Sequence, residues 1–351
     1  MKVLHVIFSF NTGGAELLLI DIINHQINEI EVSLCVINKE YDIDLINQIN
    51  NRVPVFLLNR KAGSYNPLKI IQLNKIIKKE NPDIIHAHNE NAAGMMWNSY
   101  PKVLTIHDIG SSSNWVNKYN QLYAISKSVQ QDILSRNKKE AKLIYNGINI
   151  CSIKKKNRID PDNFRIVQLS RLSHKIKGQD ILLKSLSIFK KENPDIKFSL
   201  DFIGEGDSLE YLSELTSELG LKDSVNFLGN KNRTEIYNML AEYNLLVQPS
   251  ICEGFGLTVA EAIAAKLPVL VSDNDGPMEI IENGKYGFYF KKGDENDCAQ
   301  KIKNIMMMDV EALNELTDRA FEHIQRFDVR TTSKLYIHHY SELLPNFSPH
   351  Q

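Results

Sequence analysis

Short apolar runs rich in Val, Ile and Leu alternate with helix-periodic stretches along this chain, and the whole alternation occurs twice. In the first half the runs fall at 2–8, 32–37, 53–57, 84–86, 102–106, 122–125 and 143–144. Helical periodicity lies between them, as at 15–26 and 68–79. Short apolar, β-rich runs alternating with helical stretches point to a parallel sheet covered by helices on both faces. A basic, irregular stretch follows at 151–163, with KKKNR at 154–158, and then the pattern restarts at 164–170, 198–203, 225–227, 245–248, 269–271 and 287–290.

The expectation is an α/β protein of two Rossmann-like domains, 1–160 and 161–330, facing each other across a cleft. A last helix and tail, 331–351, is expected to pack back on the first domain. A length of 351 residues fits two cores better than one, since single cores stop growing near ~250–300 residues.

Composition narrows the class. The chain is 43% hydrophobic and 24% charged, ordinary for a globular protein. Cys35, Cys151, Cys252 and Cys298 form no CxxC pair, so neither a disulfide framework nor a zinc signature is read, and a reducing cytoplasm is the expected setting. The opening MKVLHVIFSFNTGGAE carries His5 and runs into a glycine loop without a small-residue cleavage site. It reads as a buried first strand rather than a secretory leader. No stretch reaches the ~20 apolar residues that span a bilayer. The net charge of −2 divides into +6 over residues 1–160 and −8 over 161–351, so either the two halves meet different partners or the split is chance variation.

In open parallel sheets ligands bind beyond the carboxyl ends of the strands, and the informative motifs lie there. PSICEGFGLTVAEAIA, 249–264, follows the run at 245–248 and leads into an alanine-rich helix. A helix starting near Gly256 and Leu257, with Phe255 before it and Thr258 in its first turn, would aim free amides at an anion such as a diphosphate. Glu261 would then be available to a ribose diol and Glu253 to sugar hydroxyls. The competing reading makes Gly254 and Gly256 turn-formers and both glutamates solvated. Arg171 and Lys177 follow the first strand of the second half. A planar fork and a mobile point charge both suit a diphosphate, and a solvated basic loop is the alternative. Gly13 and Gly14 follow the first strand and let backbone approach a ligand. Glu16 reads equally as an ordinary first-turn acid. His107 ends the run at 102–106; His86 and His88 end the run at 84–86 and are candidate acceptor-side residues.

These segments, in their order and spacing, resemble glycosyltransferase family 4. EGFGLTVAEA looks like its paired-glutamate motif. GGAE at 13–16, TIHD at 105–108, AISKSV at 124–129, YNGI at 145–148, SRLSHKIKG at 170–178, IGEG at 203–206, FLG at 227–229 and GPMEIIENGKYGF at 276–288 match in sequence order over nearly the whole chain. One departure is Asp275-Gly276, where many members have two glycines, so Glu279 reads as structural.

The resemblance implies the two-domain GT-B arrangement, with an acceptor-side first domain and a nucleotide-sugar-binding second domain. It implies a retaining, metal-independent hexosyl or N-acetylhexosaminyl transfer from a sugar nucleotide, UDP-linked first and GDP-linked as the alternative, to a glycan hydroxyl. It points to bacterial capsule, lipopolysaccharide or other surface-polysaccharide synthesis. By the same resemblance Glu253, His107, Arg171 and Lys177 carry the chemistry, and Gly13, Gly14, Gly204, Phe255, Gly256, Leu257, Thr258 and Glu261 bind the nucleotide sugar. No metal ligand, cofactor or nucleic-acid partner is expected. Two other readings stand beside it: a sugar-nucleotide epimerase of the same fold, and a non-catalytic nucleotide-binding module.

One further expectation concerns localisation. The stretch 66–80 carries Lys69, Lys75, Lys78 and Lys79 around an apolar stripe of Ile70, Leu73 and Ile77. It could lie on an anionic membrane as a basic amphipathic helix at the inner face of the plasma membrane, or pack as an ordinary helix on the sheet.

Overall fold

The computed structural model describes residues 1–64, 66–97, 99–110, 114–158 and 164–344, with the backbone alone described at position 275. The expected boundary at 160/161 and the tail at 345–351 lie outside these residues. The chain divides into two compact units. Unit 1 is Met1–Gly147 together with the chain from Phe327 onward, and unit 2 is Ile148–Arg326.

Unit 1 is built on a parallel sheet of β1 (Lys2–Ile7), β2 (Glu31–Asn38), β3 (Val55–Arg60), β4 (Ile84–Ala87), β5 (Lys102–Ile106), β6 (Gln121–Ala124) and β7 (Lys142–Leu143). The strand order is β3-β2-β1-β4-β5-β6-β7. Val3, Val32, Leu34, Ile84 and Val103 form its core with the apolar faces of the covering helices, all of them almost fully buried. Unit 2 holds β8 (Phe164–Leu169), β9 (Phe198–Ile203), β10 (Val225–Phe227), β11 (Leu245–Gln248), β12 (Val269–Ser272) and β13 (Phe288–Phe290), ordered β10-β9-β8-β11-β12-β13 and also parallel. Ile166, Leu200, Leu245 and Leu270 fill its centre. Both units are therefore Rossmann-like α/β domains. Each sheet reverses its winding direction once, between β1 and β4 in unit 1 and between β8 and β11 in unit 2. At such a switch point the loops on either side diverge and leave a crevice at the carboxyl ends.

The chain returns to unit 1 through the helix Val329–Leu343. Asp328 caps it by accepting the backbone N–H of Arg330 at 2.9 Å. Tyr336, Ile337 and Tyr340 are buried from its inner face and join the core beneath the helix Gly14–Gln26. Among the described residues no helix is long and apolar enough to cross a membrane.

The helix Pro67–Glu80 settles the orientation of its apolar stripe. Leu73 and Ile77 are buried and Ile70 is half-buried, so this stripe packs inward and is not a membrane-facing surface. Burial against the unit removes that apolar area from water without any outside partner. The outward side presents Leu68 and Ile71, 69% and 38% exposed, with Lys75, Lys78 and Lys79.

Candidate active site

In unit 2 the carboxyl end of β11 leads through Ser250, Cys252 and Glu253 into the helix Leu257–Ala264. Gly256 caps that helix at φ 100°, a left-handed conformation that costs a side-chain-bearing residue ~1–2 kcal/mol. The backbone N–H groups of Gly256, Leu257 and Thr258 have no acceptor among the described residues. No acidic residue stands in the first turn to neutralise the positive end of the helix dipole. Phe255 is buried at 2% exposure and anchors the turn from below.

Gly276 fixes the other wall. A Cβ there would lie 2.6 Å from the carbonyl oxygen of Glu253 and 2.7 Å from the amide nitrogen of Phe255. The backbone of the helix Asp275–Ile280 thus runs against the Glu253–Phe255 turn, which explains a glycine at 276 while 275 can carry a side chain.

The expected basic pair is placed by backbone. The Lys177 carbonyl accepts from Gln168 Nε2 at 2.9 Å, and the Ile251 N–H donates to the Ile176 carbonyl at 2.8 Å. These bonds tie the turn after β8 to the turn after β11. Lys177 Nζ then reaches Glu253 Oε2 at 2.6 Å, with both side chains about four-fifths buried. An ammonium has three N–H donors, so this contact leaves two for a ligand. Arg171 is exposed, and its guanidinium makes no hydrogen bond or ion pair among the described residues. Gly204, at φ 134°, lets the turn after β9 close on Ser170, whose carbonyl oxygen would sit 2.1 Å from a Cβ at 204. Its visible role is this backbone approach.

Glu261 is engaged from its own unit. Tyr237 donates its hydroxyl to Glu261 Oε1 at 3.0 Å and accepts from Arg233 Nε at 2.7 Å. Neither Tyr237 nor Arg233 was marked by sequence reasoning. The only hint in the sequence is a tyrosine four residues after an arginine.

In unit 1 the turn after β1 carries Gly13 and Gly14, which open the helix Gly14–Gln26. The Glu16 carboxyl folds back over Gly13, close enough that a Cβ there would meet Oε2 at 2.4 Å. Burial raises the Glu16 pKa, and the nearby negative charge of Asp108 raises it further against the opposing contact with its own backbone N–H.

His107, next to Asp108, is half-buried at the end of β5. Behind it lies a chain of buried rings. His107 Nε2 is 3.4 Å from His88 Nδ1, His88 Nε2 is 3.1 Å from His5 Nδ1, and His5 Nε2 is 2.9 Å from Gln26 Oε1. Burial pushes His5 and His107 down to about 4 and holds His86 and His88 well below the usual imidazole range, so all four rings are neutral at pH 7. His86 is spoken for on both sides, by Tyr340 OH at 2.6 Å and Thr105 Oγ1 at 2.8 Å.

Metal-ligand geometry adds little. His5, His86 and His88 bring their nitrogens within 4.8 Å of one another, but His86 has no lone pair to spare once both its partners are bonded. His338, His339 and Glu342 form a second cluster at the surface, and there Lys142 already binds Glu342. An Asp-x-Asp spacing does follow β12, at Asp273 and Asp275. Asp273 Oδ1 is committed to the backbone N–H of Lys292 at 2.7 Å, and the Asp275 side chain lies outside the described residues.

The profile described as Glycosyltransferase Family 4 matches residues 12–151, and that described as Glycosyl transferases group 1 matches 149–323. The two overlap at 149–151 and together span residues 12–323. The chain belongs to glycosyltransferase family 4.

This glycosyltransferase is 25% identical to the capsular polysaccharide biosynthesis glycosyltransferase CapH of Staphylococcus aureus, over 95% of this chain and 97% of that protein. It is 27% identical to the uncharacterized glycosyltransferase MJ1607 of Methanocaldococcus jannaschii, over 53% of this chain but about half of that protein, 50%. Among solved structures, Anabaena Alr3699/HepE in complex with UDP and glucose matches at TM-score 0.83 and 25% identity, covering 97% of this chain and all of that one. The fold of this glycosyltransferase is accordingly GT-B.

Proposed function

We propose that this glycosyltransferase retains configuration and needs no metal, moving a hexosyl or N-acetylhexosaminyl group from a UDP-sugar to a glycan hydroxyl in surface-polysaccharide synthesis. The observation that carries the reading is the anion-ready ground of unit 2. Three unpaired amides at a helix N-terminus, an uncommitted Arg171 and a Lys177 with donors to spare suit a diphosphate without a cation. HepE, crystallised with UDP and with UDP-glucose, supports the choice of nucleotide, and CapH supports the glycan setting.

In the proposed step the bond from the sugar anomeric carbon to the diphosphate oxygen breaks and UDP departs with the electron pair. The acceptor oxygen bonds the anomeric carbon on the same face, and its proton passes to the leaving phosphate oxygen. Arg171, Lys177 and the amides of Gly256, Leu257 and Thr258 stabilise charge that grows on the diphosphate, which is where preorganised donors accelerate a reaction most. Glu253 holds Lys177 before the donor arrives and accepts from sugar hydroxyls once it is bound. Glu261 serves the ribose, with Tyr237 orienting its carboxylate. Gly13 and Gly14 leave the turn after β1 open to close backbone approach.

A lipid-linked acceptor belongs to the same proposal. Leu68 and Ile71 are exposed on the helix Pro67–Glu80, and Trp97, 65% exposed, is tied to that helix by its backbone N–H, which Asn74 accepts at 2.9 Å. Lys75, Lys78 and Lys79 lie on the same helix, and lysines near an anionic surface contribute roughly 1 kcal/mol each.

The test is incubation with a panel of UDP- and GDP-sugars, with and without glycan acceptors. UDP release that depends on acceptor supports transfer. An isomerised donor would mean an epimerase, and binding without turnover a non-catalytic module.

A further inference from the structure

The three-ring chain of His107, His88 and His5 in unit 1 carries information that its residues do not carry singly. A neutral imidazole has one N–H and one lone pair. Each contact between two such rings therefore needs a proton on one side only, and fixing the first link fixes all the rest. At the inner end, Gln26 presents Oε1, an acceptor, to His5 Nε2. The His5 proton then sits on Nε2 and its Nδ1 is a lone pair. That lone pair faces His88 Nε2, which must be the donor, leaving His88 Nδ1 to accept from His107 Nε2–H. His107 is the outermost ring, half-buried where the others are at most 7% exposed, and its Nδ1 has no partner among the described residues.

We propose that His5 and His88 are positioning residues which, anchored on the Gln26 carbonyl, hold His107 as the neutral Nε2–H tautomer, so that its Nδ1 offers a lone pair to a sugar hydroxyl. The identity of that hydroxyl donor rests on the proposed function; the tautomer does not. The chain also gives hydrogen-bond partners to three buried polar side chains. His5 and His88 are 0% and 7% exposed and Gln26 0%. Such groups are retained where they are hydrogen-bonded and where a specific geometry depends on them. Without the chain no bonded partner would hold His107 to one tautomer, and Nδ1 would donate in part of the population. A ring locked as an acceptor favours hydroxyl groups and disfavours carbonyl or ionised phosphate oxygens at that point.

The test is long-range proton–nitrogen correlation NMR on the full chain labelled with 15N-histidine at pH 7, with His107 assigned through its loss in His107→Phe. The expected spectrum shows a protonated Nε2 and an unprotonated Nδ1 for His107. A proton on Nδ1, an averaged pair of tautomers or an imidazolium would each overturn the proposal. A second arm uses His88→Leu and His88→Gln. The leucine variant should show averaged nitrogen shifts at His107 and a KM for the sugar nucleotide raised about tenfold, with kcat changed less. The glutamine variant retains an acceptor for His107 Nε2–H and should restore both. If the leucine variant keeps the wild-type His107 spectrum, the chain does not set the tautomer. If wild-type protein turns over no sugar nucleotide, the functional reading fails while the spectrum still decides the tautomer.

Discussion

Acidification should unfold unit 1 at a pH where most carboxylates are still ionised, and the size of the effect follows from the buried imidazoles. His5 and His107 titrate near 4 in the folded protein, against 6.5 in an unfolded chain, because burial disfavours their charged form. Their contribution is therefore fully present above pH 6.5. It is lost as pH falls toward 4, because there the unfolded chain binds protons that the folded one refuses. At pH 5 the unfolded imidazoles are almost all charged and the folded ones almost all neutral. With one pKa unit equal to about 1.36 kcal/mol, each of these two rings removes about 2 kcal/mol at that pH. His86 and His88, depressed further, act in the same direction. The two worked rings alone take about 4 kcal/mol, which lowers the melting temperature of a unit of this size by about 8–16 °C. The assay is built into the chain. Its two tryptophans, Trp97 and Trp115, both belong to unit 1, so a fluorescence melt reports that unit selectively. The expected result is a tryptophan-detected midpoint falling by at least 8 °C between pH 7.5 and pH 5.0. A midpoint that moves by less than 2 °C would refute the claim that these rings are held neutral.

Three further outcomes follow from unit 2. Arg171→Ala and Lys177→Ala should each reduce kcat by about 10²–10³ with circular dichroism unchanged, since each removes a donor whose contact strengthens as the diphosphate departs; near-normal rates in both would remove them from the mechanism. Gly276→Ala places a carbon against the Glu253–Phe255 backbone and should cost unit 2 about 1–3 kcal/mol in denaturant unfolding, together with most of the activity. Turnover should persist in EDTA, because amides and basic side chains occupy the role a cation would take; full loss restored by magnesium or manganese would contradict that.

Much of the fold could be read from the sequence, for a physical reason. β5, β9, β10 and β11 begin and end where the runs do, because strands covered by helices on both faces are rich in Val, Ile, Leu and Phe and stand out from the polar turns that bound them. β3 starts two residues later than its run and extends through Asn59 and Arg60, since Pro54 cannot donate to a ladder and an edge strand accepts polar residues. The site was legible as motifs at strand ends but not as contacts. Lys177 and Glu253 are 76 positions apart, and their pairing depends on β8 lying beside β11. The histidine chain was hidden in the same way. His5 and His86 look like isolated polar residues in two apolar runs until β1 and β4 pair in register and bring them side by side. Helical periodicity identified an apolar stripe at Ile70, Leu73 and Ile77 without saying whether lipid or the rest of the unit covers it.

Retaining transfer is decided by the anomeric configuration of the product. The enzyme would be incubated with an α-linked UDP-sugar and a glycan acceptor, and the new linkage read from the anomeric proton coupling in the NMR spectrum of the purified product. The product should carry an α-linkage, formed alongside stoichiometric UDP. A β-linkage would contradict same-face attack, and with it the roles given to Arg171, Lys177 and the leaving diphosphate.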